Sequence, residues 1–255
     1  NLAIYTPSAF ILASALHKYV DIDDEMGHRL TVAGREMGIR RLMSINMLKR
    51  LESSVNSFRL TLQRIEKLIA ATIERIDKRE SELVVDEAIA QDLDIEDQEN
   101  DLFIGTKKNR ILLEDMDYIS WKKYLSEDLE TLRLILLMLA DITPEHDSKL
   151  QQLMSDLRHK FNTPINDGNR KVIIFTAFSD TALYLYDCLA QKIKEDYGLN
   201  VALVTGDVEA RSTLKLKERL DFNKILTLFS PASKERATIY PHIKENIDVL
   251  ITTNY

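Results

Sequence analysis

The sequence predicts an α/β protein in which a mainly α-helical region precedes a parallel β-sheet with flanking helices. Helical periodicity of apolar residues runs through most of residues 1–165. Short, continuously apolar runs then occur at 172–175, 201–204 and 247–252, with helical patterns between them. Strands and helices that alternate at this spacing indicate right-handed βαβ units and a parallel sheet. We therefore predict a helical region over 1–165 and an α/β region over 166–255.

Composition and charge are those of an ordinary globular protein. Of the 255 residues, 45% are hydrophobic and 29% are charged, and the formal net charge is −7. This balance argues against a wholly basic nucleic-acid-binding protein. The sequence shows no signal peptide and no apolar run long enough to span a bilayer. We expect a cytoplasmic protein without a membrane partner. Because the chain begins with Asn rather than Met, we also expect an excised or processed fragment.

The cysteine and histidine residues do not suggest a disulfide or a metal site. Cys188 is the single cysteine, which excludes an internal disulfide and indicates a reducing compartment. It lies in the helical pattern ALYLYDCLAQKI, which favours a small core residue over a nucleophile. The five histidines are scattered, and no spacing of His, Cys, Asp or Glu resembles a metal site.

The longest regular pattern of the sequence predicts one helix over about 44–79. Apolar residues recur there three and four positions apart, and no Gly or Pro occurs from Ile39 to Arg79. The recurring residues are Leu48, Leu51, Val55, Phe58, Leu62, Ile65 and Ile69. Such a helix can pack on a later helix of the same chain, since a matching pattern follows. Alternatively, it forms a coiled coil or docks a partner, which would make the protein an oligomer.

Charge is segregated along the helical region. Residues 35–79 contain eleven Lys or Arg and five Asp or Glu, whereas residues 80–147 contain six basic and nineteen acidic residues. We interpret 80–147 as an acidic insertion, in which Glu82–Asp101 is a mobile connection or an exposed helix and a turn lies near Gly105. The segregation indicates either a basic partner-facing surface beside an acidic one, or two solvated helical faces of opposite sign.

Further helices are predicted on both sides of the acidic stretch. Phe10–Tyr19 has a helical pattern, and the acidic run at 21–25 is predicted to be a loop. Helical periodicity returns over 124–139, where we expect Trp121 and Tyr118 to be packing anchors, and again over 150–161. The Asn, Pro and Gly residues of 161–170 are typical of a linker.

The α/β region begins with the stretch KVIIFTAFSD at 171–180. Its four apolar residues, 172–175, are typical of a strand covered by helices on both faces. A helix over about 181–197 follows, with Ser179 as its cap, Asp180 in its first turn and Gly198 as its terminator.

The rest of the α/β region continues the alternation. The second strand is predicted at 201–204, a charged helical stretch continues to Leu220, and a further helical segment ends before Pro241. The last strand, at 247–252, ends in two threonines.

Small polar residues stand at the carboxyl ends of the predicted strands, where ligands of open α/β sheets bind. Backbone amides and short hydroxyl side chains can hold phosphate groups there without reading a base sequence. We therefore take these residues as candidate nucleic-acid contacts: Thr176, Phe178, Ser179, Thr205, Gly206, Thr252 and Thr253. The alternative is that they are only helix caps and turn residues.

Several stretches resemble superfamily-two helicases and Swi/Snf-type translocases. KVIIFTAFSDT at 171–181 is similar to motif IV, NVALVTGD at 200–207 to the next strand and turn, and IDVLITT at 247–253 to the start of motif V. LMSINMLKRLESSVNSFRLTL at 42–62 and ILTLFSPASKER at 225–236 also resemble bacterial members. The matches occur in the family's order along the chain.

The resemblance implies the second, RecA-like lobe of an ATP-driven DNA translocase. It implies ATP and Mg²⁺ as cofactors of the parent protein, and DNA and a first helicase lobe as partners. The phosphate loop G-x-x-x-x-G-K-[ST] and the DExx strand are absent from this sequence. In this interpretation the chain stops within motif V, and Asn254 stands where the family commonly has an acid. We therefore expect no ATPase activity from this polypeptide alone.

Two other classes of protein remain open. The first is a non-catalytic assembly module, in which the long helix joins partners and the α/β part is a rigid mount. The second is a flavodoxin-like or receiver-like domain, which is disfavoured because the first strands lack an early acidic cluster or a Gly-rich phosphate turn.

Overall fold

A computed structural model describes most of the chain, namely residues 2–19, 22–23, 29–30, 32–79, 82–84, 110–206, 208–216 and 220–253. The chain divides into two compact units. The helical unit contains the described residues up to Lys49 and those of Phe58–Asp141. The α/β unit contains Arg50–Ser57 and the described residues from Ile142 onward.

Three long helices dominate the first half of the chain. They are α1 (Val32–Ser53), α2 (Val55–Asp77) and α3 (Tyr118–Ala140). Two short antiparallel pairs join β1 (Ile22–Asp23) to β2 (Arg29–Leu30) and β3 (Glu82–Val84) to β4 (Arg110–Leu112). Single 3₁₀ turns lie at Ala3–Tyr5, Pro7–Phe10, Leu16–Lys18 and Leu113–Asp115.

The core of the helical unit forms where the apolar stripes of α2 and α3 meet. Ile65, Ile69, Trp121 and Leu125 are fully buried in one apolar cluster. The indole Nε1 of Trp121 donates to the carbonyl of Ala3 at 3.1 Å. Burial with a satisfied N–H group is what an aromatic anchor requires, so the packing role predicted for Trp121 is confirmed.

The single helix predicted over 44–79 is wrong, because the chain breaks at Ser54 between α1 and α2. The hydroxyl of Ser54 accepts a hydrogen bond from the backbone N–H of Ser57 at 3.0 Å. A serine that accepts from the third residue ahead caps a new helix rather than continuing the old one. The adjacent Ser53 and Ser54 therefore end the helix although the apolar pattern continues through them.

Predictions near the amino terminus also need correction. The segment predicted as a helix over Phe10–Tyr19 contains 3₁₀ and other turns and a β-bridge from Ile11 to Met116, because its backbone bonds to another segment. Leu12 N donates to the carbonyl of Asp115 at 2.8 Å, and the carbonyl of Phe10 accepts from Asp117 N at 2.7 Å. In the acidic stretches, Ile22–Asp23 and Glu82–Val84 are short strands, whereas residues 85–109, including the turn predicted at Gly105, lie outside the described residues.

The α/β unit contains a four-stranded sheet in the order β5–β8–β6–β7. Its strands are β5 (Val172–Thr176), β6 (Val201–Val204), β7 (Arg211–Ser212) and β8 (Val249–Thr253). Its helices are α4 (Ser148–Asn162), α5 (Ser179–Tyr197), α6 (Phe222–Phe229) and α7 (Arg236–Ile239). The α/β class and the positions of the three predicted strands are confirmed.

The sheet is mixed rather than wholly parallel. β5, β8 and β6 are parallel, but β7 runs antiparallel to β6. The predicted charged helical stretch before Leu220 is thus replaced at its centre by an edge strand. Polar side chains reinforce this pairing, since Thr213 Oγ1 accepts from Val201 N at 2.9 Å and Ser212 Oγ donates to Val201 O at 3.0 Å.

Helices cover the two faces of the sheet unequally. On one face Val201, Leu203, Val249 and Ile251 pack with α4 and α5, and on the other Ala202 and Leu250 pack with α6. The strands β6 and β8 are buried on both faces, but burial on both faces was predicted for residues 172–175. That prediction is wrong for the edge strand β5, where Ile173 is 44% exposed and Phe175 is 61% exposed.

The helix α4 belongs to the α/β unit, not to the helical region in which the sequence placed it. Its residues Leu150, Leu157 and Phe161 are buried in one cluster with Leu189 of α5. The structural division at 141–142 therefore precedes the predicted boundary at 165. The terminator predicted at Gly198 is confirmed, because this residue has φ 69° and its N–H donates to the carbonyl of Lys194.

Candidate nucleic-acid interface

The strand register brings four of the predicted contact residues to one edge of the sheet. Thr176 of β5 pairs with Thr253 of β8, and Thr252 pairs with Val204 of β6. Thr205 follows Val204 directly. Because these three strands are parallel, their carboxyl ends meet at the same edge. We call Thr176, Thr205, Thr252 and Thr253 the threonine edge.

Three hydroxyls of the threonine edge make local hydrogen bonds. Thr176 Oγ1 donates to the carbonyl of Phe178 at 3.1 Å, and Thr252 Oγ1 donates to the carbonyl of Thr253 at 3.2 Å. Thr205 Oγ1 accepts from Val208 N at 3.2 Å. These contacts shape the turns after the strands, as the alternative interpretation expects.

Thr253 differs from the other three. Its side chain is 2% exposed, and its hydroxyl has no hydrogen-bond partner within the described part of the chain. A buried hydroxyl without a partner costs free energy unless another group satisfies it. Thr253 therefore lies beneath the surface of the threonine edge, where its hydroxyl is enclosed by the protein rather than presented to a ligand.

The remaining predicted residues follow the strand ends. Helix α5 begins at Ser179, and the capping position is occupied by Phe178, whose side chain makes no capping hydrogen bond. The predicted cap at Ser179 is therefore wrong by one position. Ser179 is buried, Phe178 is half-buried and Gly206 is exposed.

Arg50 is the residue of this region that the sequence analysis missed. Its guanidinium is fully buried, and its Nη1 atom lies 2.9 Å from Asp180 Oδ2 and 3.3 Å from Ser57 Oγ. The same guanidinium lies over the Phe178 ring at 4.6 Å from the centroid. Arginine suits this place because its planar group combines hydrogen bonding with stacking. The available signal was the adjacent Ser53 and Ser54, which indicate a helix end near this arginine.

A hydroxyl cluster adjoins the buried ion pair. Thr181 Oγ1 lies 2.8 Å from Ser53 Oγ and 3.1 Å from Ser54 Oγ. Lys149 Nζ donates to the carbonyl of Glu52 and lies 3.5 Å from that of Ser53, so a cation lies at the carboxyl end of α1. The segment Arg50–Ser57 is thus fastened to the start of α5 and to α4.

Lys171, at the opposite end of β5, is used within the fold. Its ammonium donates to the carbonyl of Ile247 at 2.6 Å and lies 5.0 Å from the centroid of the Phe229 ring. Burial lowers the pKa of Lys171, while the charge of Asp248 partly opposes this shift. Lys171 therefore serves packing at the amino ends of the strands.

Metal-ligating side chains do not cluster among the described residues. In the described ranges, no group of three or more His, Cys, Asp or Glu side chains could hold a metal ion. Across the same ranges, no helix is long and apolar enough to cross a membrane.

Comparisons of the chain with protein-family models, with curated proteins and with solved structures found no match.

Proposed function

We propose that the α/β unit is the second motor lobe of an ATP-dependent DNA translocase of Swi/Snf type. In this role its sheet edge holds the phosphate backbone, and it completes an ATP cleft together with a first lobe. The observation that carries the proposal is the threonine edge, because its residues come from three separate stretches that resemble helicase motifs. A RecA-like arrangement of this unit is part of the proposal.

The chemistry of the edge suits a motor that must hold and release a phosphate backbone. Short hydroxyls and backbone amides bind phosphate without reading bases, so the same contacts can form at every position along the strand. With a net charge of −7, the chain gains little from long-range attraction to DNA. Binding by this chain is therefore weak, independent of sequence and sensitive to salt. ATP and Mg²⁺ are assigned to the parent protein, and this chain alone does not hydrolyse ATP.

The test is fluorescence anisotropy of labelled duplex and single-stranded DNA titrated with the chain. Thr252→Val keeps the shape of the side chain and removes a hydroxyl of the threonine edge that is only partly buried, and we expect it to weaken binding about tenfold, as loss of one hydrogen bond to a charged group does. Arg40→Glu together with Arg41→Glu reverses charge in the basic stretch of α1. If the sheet edge is the contact, this double variant keeps most of the binding.

Two results would overturn the proposal for the sheet edge. One is unchanged affinity in Thr252→Val, and the other is loss of binding in the Arg40 and Arg41 variant with none in Thr252→Val. Failure of the wild-type chain to bind either form of DNA would reject the nucleic-acid function proposed for this chain.

A second candidate function is a non-catalytic assembly module. It is favoured by exposed apolar side chains on α1, where Leu48 is 62% exposed and Leu51 is 43% exposed. The break at Ser54 weighs against it, because a coiled coil needs a continuous apolar seam. The mass of the chain in solution decides between a monomer and an assembly.

A further inference from the structure

A fully buried arginine that neutralises a carboxylate next to a candidate phosphate contact needs explanation. Removing two charges from water is costly, and an apolar pair of similar volume is often as stable. The Arg50–Asp180 pair is nevertheless present, with side chains that are 0% and 12% exposed. The stability of the fold alone therefore does not account for this pair.

The position of the Arg50–Asp180 pair suggests its role. Asp180 lies in the first turn of α5, only four residues after Thr176 at the end of β5. A carboxylate there repels an approaching phosphate unless a cation neutralises it. Arg50 supplies this cation from the interior, and its stacking on Phe178 also fixes the loop between β5 and α5.

We propose that Arg50 is a positioning residue for phosphate binding at the threonine edge, which it serves by neutralising Asp180 and by holding the loop 176–180. The inference rests on the proposed function. Arg50 itself does not touch the nucleic acid, since its side chain is fully buried. Its segment, Arg50–Ser57, is fastened by the hydroxyls of Ser53 and Ser54 to Thr181, so the guanidinium has a fixed place.

Replacing either residue of the ion pair gives a test that depends on whether DNA affinity rises or falls. Arg50→Met and Asp180→Asn both break the pair, and a purely structural role predicts that both weaken DNA binding. The proposed role predicts opposite effects. Arg50→Met leaves a negative charge beside the phosphate and weakens binding, whereas Asp180→Asn leaves a positive charge and strengthens it. Each change is expected to be about fivefold at low salt.

The experiment measures DNA affinity by anisotropy at several salt concentrations for the wild-type chain, both single variants and the double variant. Circular dichroism and urea unfolding report whether each variant is folded. Arg133→Met is the matched control, because it breaks the exposed ion pair between Arg133 and Glu66 and should leave the affinity unchanged. The double variant should recover most of the affinity that Arg50→Met loses.

The outcomes separate this inference from the proposed function. If the wild-type chain binds DNA and both single variants bind more weakly, Arg50 is only structural and the inference is wrong. The same holds if the double variant binds as weakly as Arg50→Met. If Arg50→Met does not fold, the affinity of Asp180→Asn decides alone, since tighter binding supports the inference and weaker binding rejects it. No DNA binding by the wild-type chain would reject the proposed function and the inference together.

Discussion

The hydroxyl of Tyr184 donates to Asp147 Oδ2 at 3.0 Å, and this contact joins α5 to the start of α4. The other carboxylate oxygen of Asp147 accepts from the backbone N–H groups of Lys149 and Leu150 at 3.1 and 3.0 Å. One buried side chain therefore caps α4 and ties it to the helix that packs on the sheet. This is why α4 belongs to the α/β unit.

Tyr184→Phe should destabilise the α/β unit by about 1 kcal/mol at neutral pH, because it leaves one oxygen of Asp147 without this donor. Burial, together with the hydrogen bond to Asp147, raises the pKa of Tyr184 above its ordinary value of 10.0. The folded state thus holds the phenol proton more tightly than the unfolded state. This contribution to stability is fully present below pH 10.0 and is lost as the pH rises above it.

Urea unfolding of the wild type and Tyr184→Phe as a function of pH measures this effect. The difference in free energy of unfolding between the two proteins should shrink between neutral pH and about pH 11. A difference that stays constant over this range would show that the hydrogen bond does not govern the titration of Tyr184.

Ser54→Ala removes the side chain that caps α2 and contacts Thr181. We expect a loss of about 1 kcal/mol in the free energy of unfolding, which is typical for removal of a helix cap. Ser44→Ala is the matched control, since the Ser44 hydroxyl donates only to the carbonyl of Arg40 on an exposed helix face. Equal stability of the two variants, measured by thermal unfolding, would mean that Ser54 does not determine the helix break.

Thr253→Val and Thr176→Val should affect stability differently. The hydroxyl of Thr176 donates to Phe178 O, so its removal should cost about 1 kcal/mol. The hydroxyl of Thr253 has no partner within the described ranges, so its replacement should be neutral or slightly stabilising. Urea unfolding without DNA measures both. A larger loss in Thr253→Val would show that this hydroxyl is already satisfied within the chain.

The chain should be a monomer in solution, because its longest apolar pattern is divided by the break at Ser54. Light scattering after size-exclusion chromatography gives the mass directly. Leu48→Glu with Leu51→Glu adds charge to exposed positions of α1 and should leave the mass unchanged. A dimer that this double variant dissociates would instead support the assembly module.

Cys188 should be slow to react with thiol reagents in the native protein. Its side chain is half-buried and packs against the cluster of α4, α5 and the sheet. Burial raises the pKa of the Cys188 thiol, so little reactive thiolate is present at neutral pH. Labelling with a chromogenic disulfide reagent should be slow without denaturant and fast in urea. Fast labelling of the folded chain would contradict this burial.

Local patterns were sufficient to predict several elements. The strands at 172–176, 201–204 and 249–253 and the helices α3, α4 and α5 appear where apolar periodicity predicts them. Gly198 ends α5 because a left-handed conformation at that point favours glycine. The sequence also indicated that Thr176, Thr205, Thr252 and Thr253 stand at the carboxyl ends of strands, whereas their meeting at one edge follows from the strand order of the structure.

Contacts between distant parts of the chain decided the rest. The pairing of Arg50 with Asp180, 130 residues apart, left no local pattern in the sequence. The placing of β8 between β5 and β6, and the addition of β7 at the sheet edge, depend on which strands meet rather than on their composition. Because β5 is an outermost strand of the sheet, one of its faces is exposed, although the sequence of β5 is as apolar as that of a buried strand. Periodicity within the sequence thus determined the main strands and helices, because these form from neighbouring residues. The tertiary structure alone determined strand order, burial and charge pairing, because these free energies arise only when distant residues meet.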